Sequence, residues 1–263
     1  MATDTDELAG QASTFEDGNV AWMLPAGEVH VWRASLERPA RVVELMYSTL
    51  STDERARADR FHFARDRSRF VIGRALLRRL LGCYTGATPE ALEFEYGEFD
   101  KPSLLRGPRF NLSHSGTIAL YAVSREGEIG IDVELDRDVS RDRVAERFFS
   151  PGEVKALRAL PAELQPRAFL SCWTRKEAFL KARGDGLSLA LDSFDVTLTP
   201  DAPAALLRTA WCSEEPRRWQ IQDLSDPQAG YIAAVALRGY GWRVVQREIA
   251  DTIEGGMPGQ EWR

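Results

Sequence analysis

The sequence predicts an α+β protein whose 263 residues divide into two halves near residue 127. Each half contains helix-type apolar periodicity opened by a capping signal, and each also contains runs of alternating apolar and polar residues. The length suits one large domain or two small ones. We expect an N-terminal half over 28–127, a C-terminal half over 128–250, and flexible tails over 1–27 and 251–263.

The N-terminal half begins with an alternating run over 28–34 that predicts a strand. Ser51 and Glu54 then fit a capping box, in which each residue bonds the backbone of the other. A helical stretch with one apolar face follows, and we expect Gly82 and then Gly86 to end it. The other strands predicted in this half cover 109–113 and 117–123.

The C-terminal half begins with a strand over 128–134, after a turn at Glu126 and Gly127. Ser150 and Glu153 form a second capping box, with proline at the first helical position. A long helix is predicted over 165–183, and Gly184 closes it. The remaining predicted strands cover 193–199, 218–224 and 231–237.

Composition excludes several classes of protein. Hydrophobic residues make up 44% and charged residues 28% of the chain, which are ordinary globular values and argue against disorder or a fibrous repeat. No apolar run approaches the roughly 18 residues of a membrane span. The N-terminus is acidic, unlike a secretory signal. Three well-separated cysteines indicate neither a disulfide framework nor a zinc site. We therefore expect a soluble cytoplasmic protein with reduced thiols.

Positive charge is concentrated in one segment. Residues 55–79 contain nine arginines and two aspartates, a local charge of +7 in a chain of net charge −6. Such a block favours a local anion site within an acidic protein. A nucleic-acid surface is the alternative, but the block lacks interleaved exposed aromatic residues and any known binding motif.

An acidic pair lies on the strand predicted over 128–134. Because side chains alternate along a strand, Asp132 and Glu134 share one face and stand about 7 Å apart. Two carboxylates so placed can converge on a hard cation such as Mg²⁺. An isolated Asp-x-Glu also fits a solvated strand edge, which is the commoner arrangement for acidic residues.

One face of the helix over 165–183 carries Trp173, Glu177 and Lys181 at intervals of four, with Lys176 beside it. Elsewhere the chain is rich in arginine, with thirty arginines against four lysines. A lysine provides a point charge for a single phosphate oxygen, whereas arginine prefers bidentate pairing. The face is therefore a candidate phosphate contact, and an exposed ion-pair stripe is the alternative.

Two further segments are candidates for anion binding. Residues 111–116 end a strand with a cluster of serines and a histidine, which suits either an anion loop or a structural turn. A serine nucleophile is excluded there because the Gly-x-Ser-x-Gly elbow is missing. Lys101 precedes Pro102, so a rigid turn could present its ammonium group; an ordinary surface turn is the alternative.

Together these motifs resemble the Sfp-type 4'-phosphopantetheinyl transferases over roughly residues 45 to 240. The resemblance rests on the order and spacing of five stretches, which cover 110–116, 129–134, 147–150, 173–181 and 184–189. It implies a monomer of two similar α+β halves related by a pseudo-twofold axis, with coenzyme A bound between them. Such enzymes transfer the phosphopantetheine arm of coenzyme A to a serine of a carrier protein and release adenosine 3',5'-bisphosphate.

The resemblance also assigns roles by position. Asp132, Glu134 and Glu177 match ligands of Mg²⁺, for which Mn²⁺ could substitute, and Glu177 is also the candidate base. Lys181 matches a pyrophosphate contact. The other residues matched to coenzyme binding are Lys176, beside Lys181; Ser113 and His114, near the phosphates; Lys101, at the adenine nucleotide; and Arg55, Arg57 and Arg60, of which one would reach the 3'-phosphate. Where the family has a glycine before the lysine that matches Lys101, this chain has Asp100.

The expected partners are acyl carrier proteins, peptidyl carrier proteins, or carrier domains of polyketide and nonribosomal peptide synthases in secondary metabolism. We expect no nucleic acid and no membrane among them. Three alternatives remain at this point: a magnesium-dependent hydrolase acting on a pyrophosphate, a non-catalytic module that binds a nucleotide or a carrier protein, and a nucleic-acid-binding protein.

Overall fold

A long helix packed against an antiparallel sheet forms the centre of the N-terminal half. The computed structural model describes residues 12–14, 20–97, 99, 101–135, 141–184, 189–199 and 202–249. In chain order the elements of this half are β1 (Ala12–Thr14), β2 (Val20–Trp22), β3 (Glu28–Ser35), α1 (Ala40–Ser48), α2 (Thr52–Ala58), α3 (Ala64–Thr85), β4 (Phe94–Tyr96), β5 (Pro102–Leu104), β6 (Arg109–Ser115) and β7 (Ile118–Ser124). Strand β7 pairs antiparallel with β3 on one side and with β6 on the other.

The C-terminal half repeats this plan with its own sheet and long helix. Its elements are β8 (Ile129–Leu135), α4 (Arg141–Phe148), α5 (Pro151–Ala159), α6 (Gln165–Arg183), β9 (Phe194–Val196), β10 (Leu206–Thr209), β11 (Trp219–Asp223), β12 (Tyr231–Arg238) and β13 (Arg243–Glu248). Strands β11, β12 and β8 form an antiparallel sheet in that order. The predicted α+β class with two similar halves is confirmed.

The last strand ties the two halves together. Strand β13 leaves the C-terminal half and pairs in parallel with β3, so that the order of the N-terminal sheet is β13-β3-β7-β6. The two sheets also share an apolar core, in which residues such as Val31 and Ala122 pack with Ile131 and Val235. The seam between the halves is therefore a packed interface along β6 and β8.

Most of the predicted elements are confirmed, including both capping boxes and the bounds of α6. The prediction that Gly82 ends a helix is wrong. Helix α3 continues to Thr85 and ends at Gly86, which has a φ of +74°. A β-carbon at Gly82 would lie 2.7 Å from the carbonyl oxygen of Ala87, so this glycine lets the chain turn back closely after the helix.

Several elements are absent from the sequence predictions. They are short or lie at the surface, where alternation is weak: α1, α4, the β4–β5 pair, β10 and the edge strand β13. Within the range predicted as a flexible tail, the described part forms the β1–β2 pair, and the Trp22 ring stacks on that of Trp32 with centroids 5.0 Å apart. The range 251–263 lies outside the described residues.

Across the described part of the chain, no helix is both long enough and apolar enough to cross a lipid bilayer.

Candidate active site

Strand β8 and helix α6 approach each other unusually closely at Gly130. A β-carbon on this residue would lie 2.1 Å from the carbonyl oxygen of Ala178 and 2.2 Å from the amide nitrogen of Ala182. Only glycine fits so tight a contact between a strand and a helix backbone. The contact brings the helix face that carries Lys181 against the strand face that carries Asp132.

Asp132 is the best-defined residue of the site. Its side chain is only 6% exposed, and its Oδ1 atom accepts hydrogen bonds from Lys181 Nζ at 2.6 Å and from Ser113 Oγ at 2.8 Å. Lys181 Nζ also lies 3.0 Å from Ser113 Oγ. The other carboxylate oxygen, Oδ2, is buried and has no hydrogen-bond partner among the residues that the structure describes. A buried acceptor left open in this way is suited to a ligand.

Glu134 and Glu177 add two further carboxylates. Ser115 Oγ donates to Glu134 Oε2 at 2.8 Å. Burial raises the pKa of Glu177, and the charges of Asp132 and Glu134 raise it further, while that of Lys181 opposes them. The three carboxylates are therefore within electrostatic reach of one another. Among the described residues, however, no three acidic, histidine or cysteine side chains lie close enough together to hold a metal ion as they stand.

A row of polar side chains on β6 holds the two carboxylates of β8. Asn111, Ser113 and Ser115 alternate with apolar residues and so face the same side of the strand. Asn111 Oδ1 accepts the N–H of Ile131 at 2.9 Å, and the two serines bond Asp132 and Glu134. The strand predicted over 109–113 is confirmed, but it continues to Ser115, so the turn expected within 111–116 begins only at Gly116.

Asn111 and Ser115 were missed as site residues. Their signal in the sequence is the alternation of short polar side chains through 111–115, which is unusual for a strand buried between two sheets.

Lys101 lies at the same seam and contacts the backbone there. Its Nζ atom donates to the carbonyl oxygens of Lys181 at 2.5 Å and of Ile129 at 3.1 Å. Burial lowers the pKa of Lys101 to about 8, although the charge of Glu128 opposes this effect. The lysine therefore joins the end of α6 to the start of β8. Asp100, beside it, lies outside the described residues.

A cleft of about 610 Å³ opens beside Lys101, between the two halves. Its lining combines aromatic and basic side chains, which include Phe99, Phe110, Arg109, Arg183 and Arg238. Such a lining suits a ligand that carries both a ring system and negative charge.

His114 stands at the exposed end of β6. Desolvation by the surrounding protein lowers the pKa of His114, and the nearby positive charges of Lys181 and Arg69 lower it further. Arg69 was not singled out from the sequence. Of the arginines that were, Arg57 is exposed and stacks on the Phe70 ring, with its guanidinium carbon 5.6 Å from the ring centroid. Arg60 is exposed and Arg55 half-buried on the same short helix and turn.

Only part of the arginine-rich segment over 55–79 lies at the surface. Arg74 and Arg78 are buried and each forms a 2.6 Å ion pair with Glu54, which is itself buried. The capping residue of α2 therefore also binds helix α3. Burial pushes the pKa of Glu54 upward, but Arg74 and Arg78 outweigh it and hold this pKa below its ordinary value of 4.5.

We expect Glu54→Gln to destabilise the fold by about 3–5 kcal/mol, because it leaves two buried guanidinium groups without a counter-charge. The native pKa is lowered, so the wild-type ion pairs stabilise the protein fully above pH 4.5 and are lost as the pH falls through the native pKa. Chemical unfolding at pH 7 and at pH 3.5 should thus show a deficit that shrinks in acid. Glu163→Gln, at an exposed site, is the matched control. An equal deficit at both pH values would contradict this explanation.

Lys176 does not reach the site, and its assignment to coenzyme binding is wrong. The residue is fully buried in the C-terminal half, where its Nζ atom pairs with Glu153 at 2.8 Å and donates to the carbonyl oxygens of Leu191 and Phe194. Its position next to Glu177 places it on the core side of α6. Lys176 therefore holds α5, α6 and the start of β9 together.

Two family models match consecutive parts of this chain. The model described as the N-terminal region of 4'-phosphopantetheinyl transferase matches residues 31–126, and that of the 4'-phosphopantetheinyl transferase superfamily matches residues 128–236. The two matches meet at the seam where Asp132 and Lys181 lie. They define the class of protein: the chain belongs to the 4'-phosphopantetheinyl transferase family, a family of enzymes.

Individual relatives show that, within this family, the chain is of the Sfp type. The chain is 42% identical over 226 residues to the 4'-phosphopantetheinyl transferase HetI of Nostoc sp., which covers 84% of this chain and 92% of that protein. It is 34% identical over 165 residues to the 4'-phosphopantetheinyl transferase Sfp of Bacillus subtilis, which covers 62% of this chain and 73% of that protein. It is 41% identical over 143 residues to the transferase AcpT of Salmonella typhi, covering 53% and 68%.

Proposed function

We propose that the protein transfers the 4'-phosphopantetheine group of coenzyme A to a serine hydroxyl of an apo carrier protein, in a Mg²⁺-dependent reaction that releases adenosine 3',5'-bisphosphate. One observation carries the proposal. A buried carboxylate, Asp132, has one oxygen bonded to Lys181 and the other open, at the seam between the two halves. Family membership supports the same reaction.

Asp132, Glu134 and Glu177 would hold the metal ion. All three provide the hard oxygen donors that Mg²⁺ prefers, and Mn²⁺ accepts the same donors. The open Oδ2 atom of Asp132 and the raised pKa of Glu177 both indicate concentrated negative charge, which a bound cation would stabilise. When bound, the ion would supply charge neutralisation at the pyrophosphate of coenzyme A.

The protein's own residues would position the reactants and move one proton. The serine oxygen of the carrier protein attacks the phosphorus next to the pantetheine arm, and the bond from that phosphorus to the bridging oxygen breaks. Lys181 would neutralise charge on the pyrophosphate, and Glu177 would accept the serine proton at its carboxylate. The nucleophile comes from the partner, so the enzyme needs no activated serine of its own.

The cleft beside Lys101 would hold the coenzyme. Its aromatic and basic lining suits an adenine nucleotide, and Ser113 and His114, which both lie near Lys181, would face the phosphates. Arg69, together with one of Arg55, Arg57 and Arg60, would add positive charge for the 3'-phosphate. We further propose a cytoplasmic monomer that serves acyl or peptidyl carrier proteins, or carrier domains of polyketide and nonribosomal peptide synthases.

The direct test is the intact mass of an apo carrier protein incubated with the enzyme, Mg²⁺ and coenzyme A. We expect a mass increase of one phosphopantetheine arm, lost when the carrier serine is replaced by alanine or when the metal is chelated. A parallel reaction without carrier protein tests the hydrolase alternative, which predicts cleavage of coenzyme A regardless of the carrier. Cleavage without any mass increase on acyl or peptidyl carriers would contradict the proposal.

A further inference from the structure

Lys181 is paired with the same carboxylate, Asp132, on which the proposed metal site depends. Its ammonium group contacts Asp132 Oδ1 at 2.6 Å, whereas the Asp132 side chain is 6% and the Lys181 side chain 30% exposed. A buried carboxylate is strongly unfavourable without a counter-charge. In the protein alone, Lys181 provides that counter-charge from the solvent side.

We propose that Lys181 is a displaceable counter-cation, which pairs with Asp132 in the protein alone and moves to a phosphate oxygen when coenzyme A binds, so that the coenzyme and the divalent ion bind cooperatively. The inference rests on the proposed function and adds to it a coupling between the two ligands. The inferred role of Lys181 precedes the reaction and is additional to its proposed contact with the pyrophosphate.

The surroundings of Lys181 allow its side chain to move while its backbone stays fixed. Lys101 Nζ bonds the Lys181 carbonyl oxygen and also that of Ile129, which ties this turn of the helix to β8. The contact at Gly130 leaves no space for the helix to shift. The flexible stem of the lysine is partly exposed, and its compact ammonium group can exchange one oxygen partner for another.

Cooperativity follows because both ligands act on the same ion pair. A cation that binds alone at the open Oδ2 atom of Asp132 is repelled by the ammonium group on Oδ1, and coenzyme that binds alone draws this group away and leaves the buried carboxylate without a counter-charge. When both bind, each ligand removes the cost that the other meets alone. The coupling is reciprocal, as any coupling between binding equilibria must be.

The test is a titration with Mn²⁺, with free Mn²⁺ measured by electron paramagnetic resonance, in the absence of coenzyme A and at a saturating concentration of it. We expect Lys181→Met to bind Mn²⁺ about tenfold more tightly than wild type without coenzyme A. With coenzyme A the two proteins should bind Mn²⁺ about equally. Lys155→Met, which removes an exposed lysine on α5, should match wild type in both conditions.

Two results would overturn the inference and leave the proposed function intact. An equal gain in affinity with and without coenzyme A would mean that Lys181 acts only as a distant charge, and no gain in either condition would mean that the ion pair does not compete with the metal. Wild-type protein that binds no Mn²⁺ in either condition would overturn both the inference and the proposed metal site. The carrier-protein mass assay then decides separately whether transfer occurs.

Discussion

Asp132→Asn is expected to reduce phosphopantetheine transfer by about 10²- to 10³-fold or more while the fold survives. The amide has nearly the shape of the carboxylate and keeps an oxygen for Ser113, so packing at the seam is preserved. It has no negative charge, and therefore loses both the ion pair with Lys181 and the hard anionic oxygen that a divalent ion requires. The rate is measured from the intact mass of a carrier protein over time.

Thermal unfolding of the same preparation shows whether the variant is folded, and Asp192→Asn at an exposed position provides the matched control for the substitution itself. We expect the melting temperatures of both variants to lie within a few degrees of wild type. Transfer by Asp132→Asn at more than about a tenth of the wild-type rate would count decisively against a role for this carboxylate in the reaction.

Gly130→Ala should destabilise the protein strongly. The new β-carbon would meet the Ala178 carbonyl oxygen at 2.1 Å and the Ala182 nitrogen at 2.2 Å, and both are backbone atoms of a helix that cannot rotate away. We expect a loss of about 3 kcal/mol or more, and a melting temperature lower by about 6–12 °C.

Gly130→Ala should also lower the activity at temperatures where the variant remains folded. The reason is that a displaced α6 moves Glu177 and Lys181 away from Asp132. Gly152→Ala is the control: a β-carbon there has no neighbour closer than Ser150 Oγ at 3.6 Å, and alanine favours a helix. Differential scanning calorimetry of the two variants provides the comparison. A Gly130→Ala protein as stable as Gly152→Ala would show that the strand and helix are not in the contact described.

The fold could be predicted where the local pattern was strong. The helix over 165–183 was predicted to the residue because a capping glycine with positive φ follows it and apolar residues recur along it. Strand β13 was missed because its pairing with β3 is a contact between residues more than 200 positions apart. An edge strand with a largely polar pattern gives no local sign of such a partner.

The site could be predicted only as a set of motifs. Alternation placed Asp132 and Glu134 on one face of a strand, and helical spacing placed Glu177 with Lys181. Helical spacing could not show which of Lys176 and Lys181 lies in the core of the C-terminal half, and the structure shows that it is Lys176. The role of Gly130 was also hidden, because its meaning depends on how closely α6 approaches β8.

The most direct measurement is the anomalous diffraction of Mn²⁺ in crystals grown with coenzyme A. We predict one Mn²⁺ peak at the seam, within roughly 2.5 Å of carboxylate oxygens of Asp132, Glu134 and Glu177. Lys181 should then contact a phosphate oxygen of the coenzyme. A Mn²⁺ peak bound elsewhere, or coenzyme bound with the carboxylate of Glu177 turned to bulk solvent, would contradict the account.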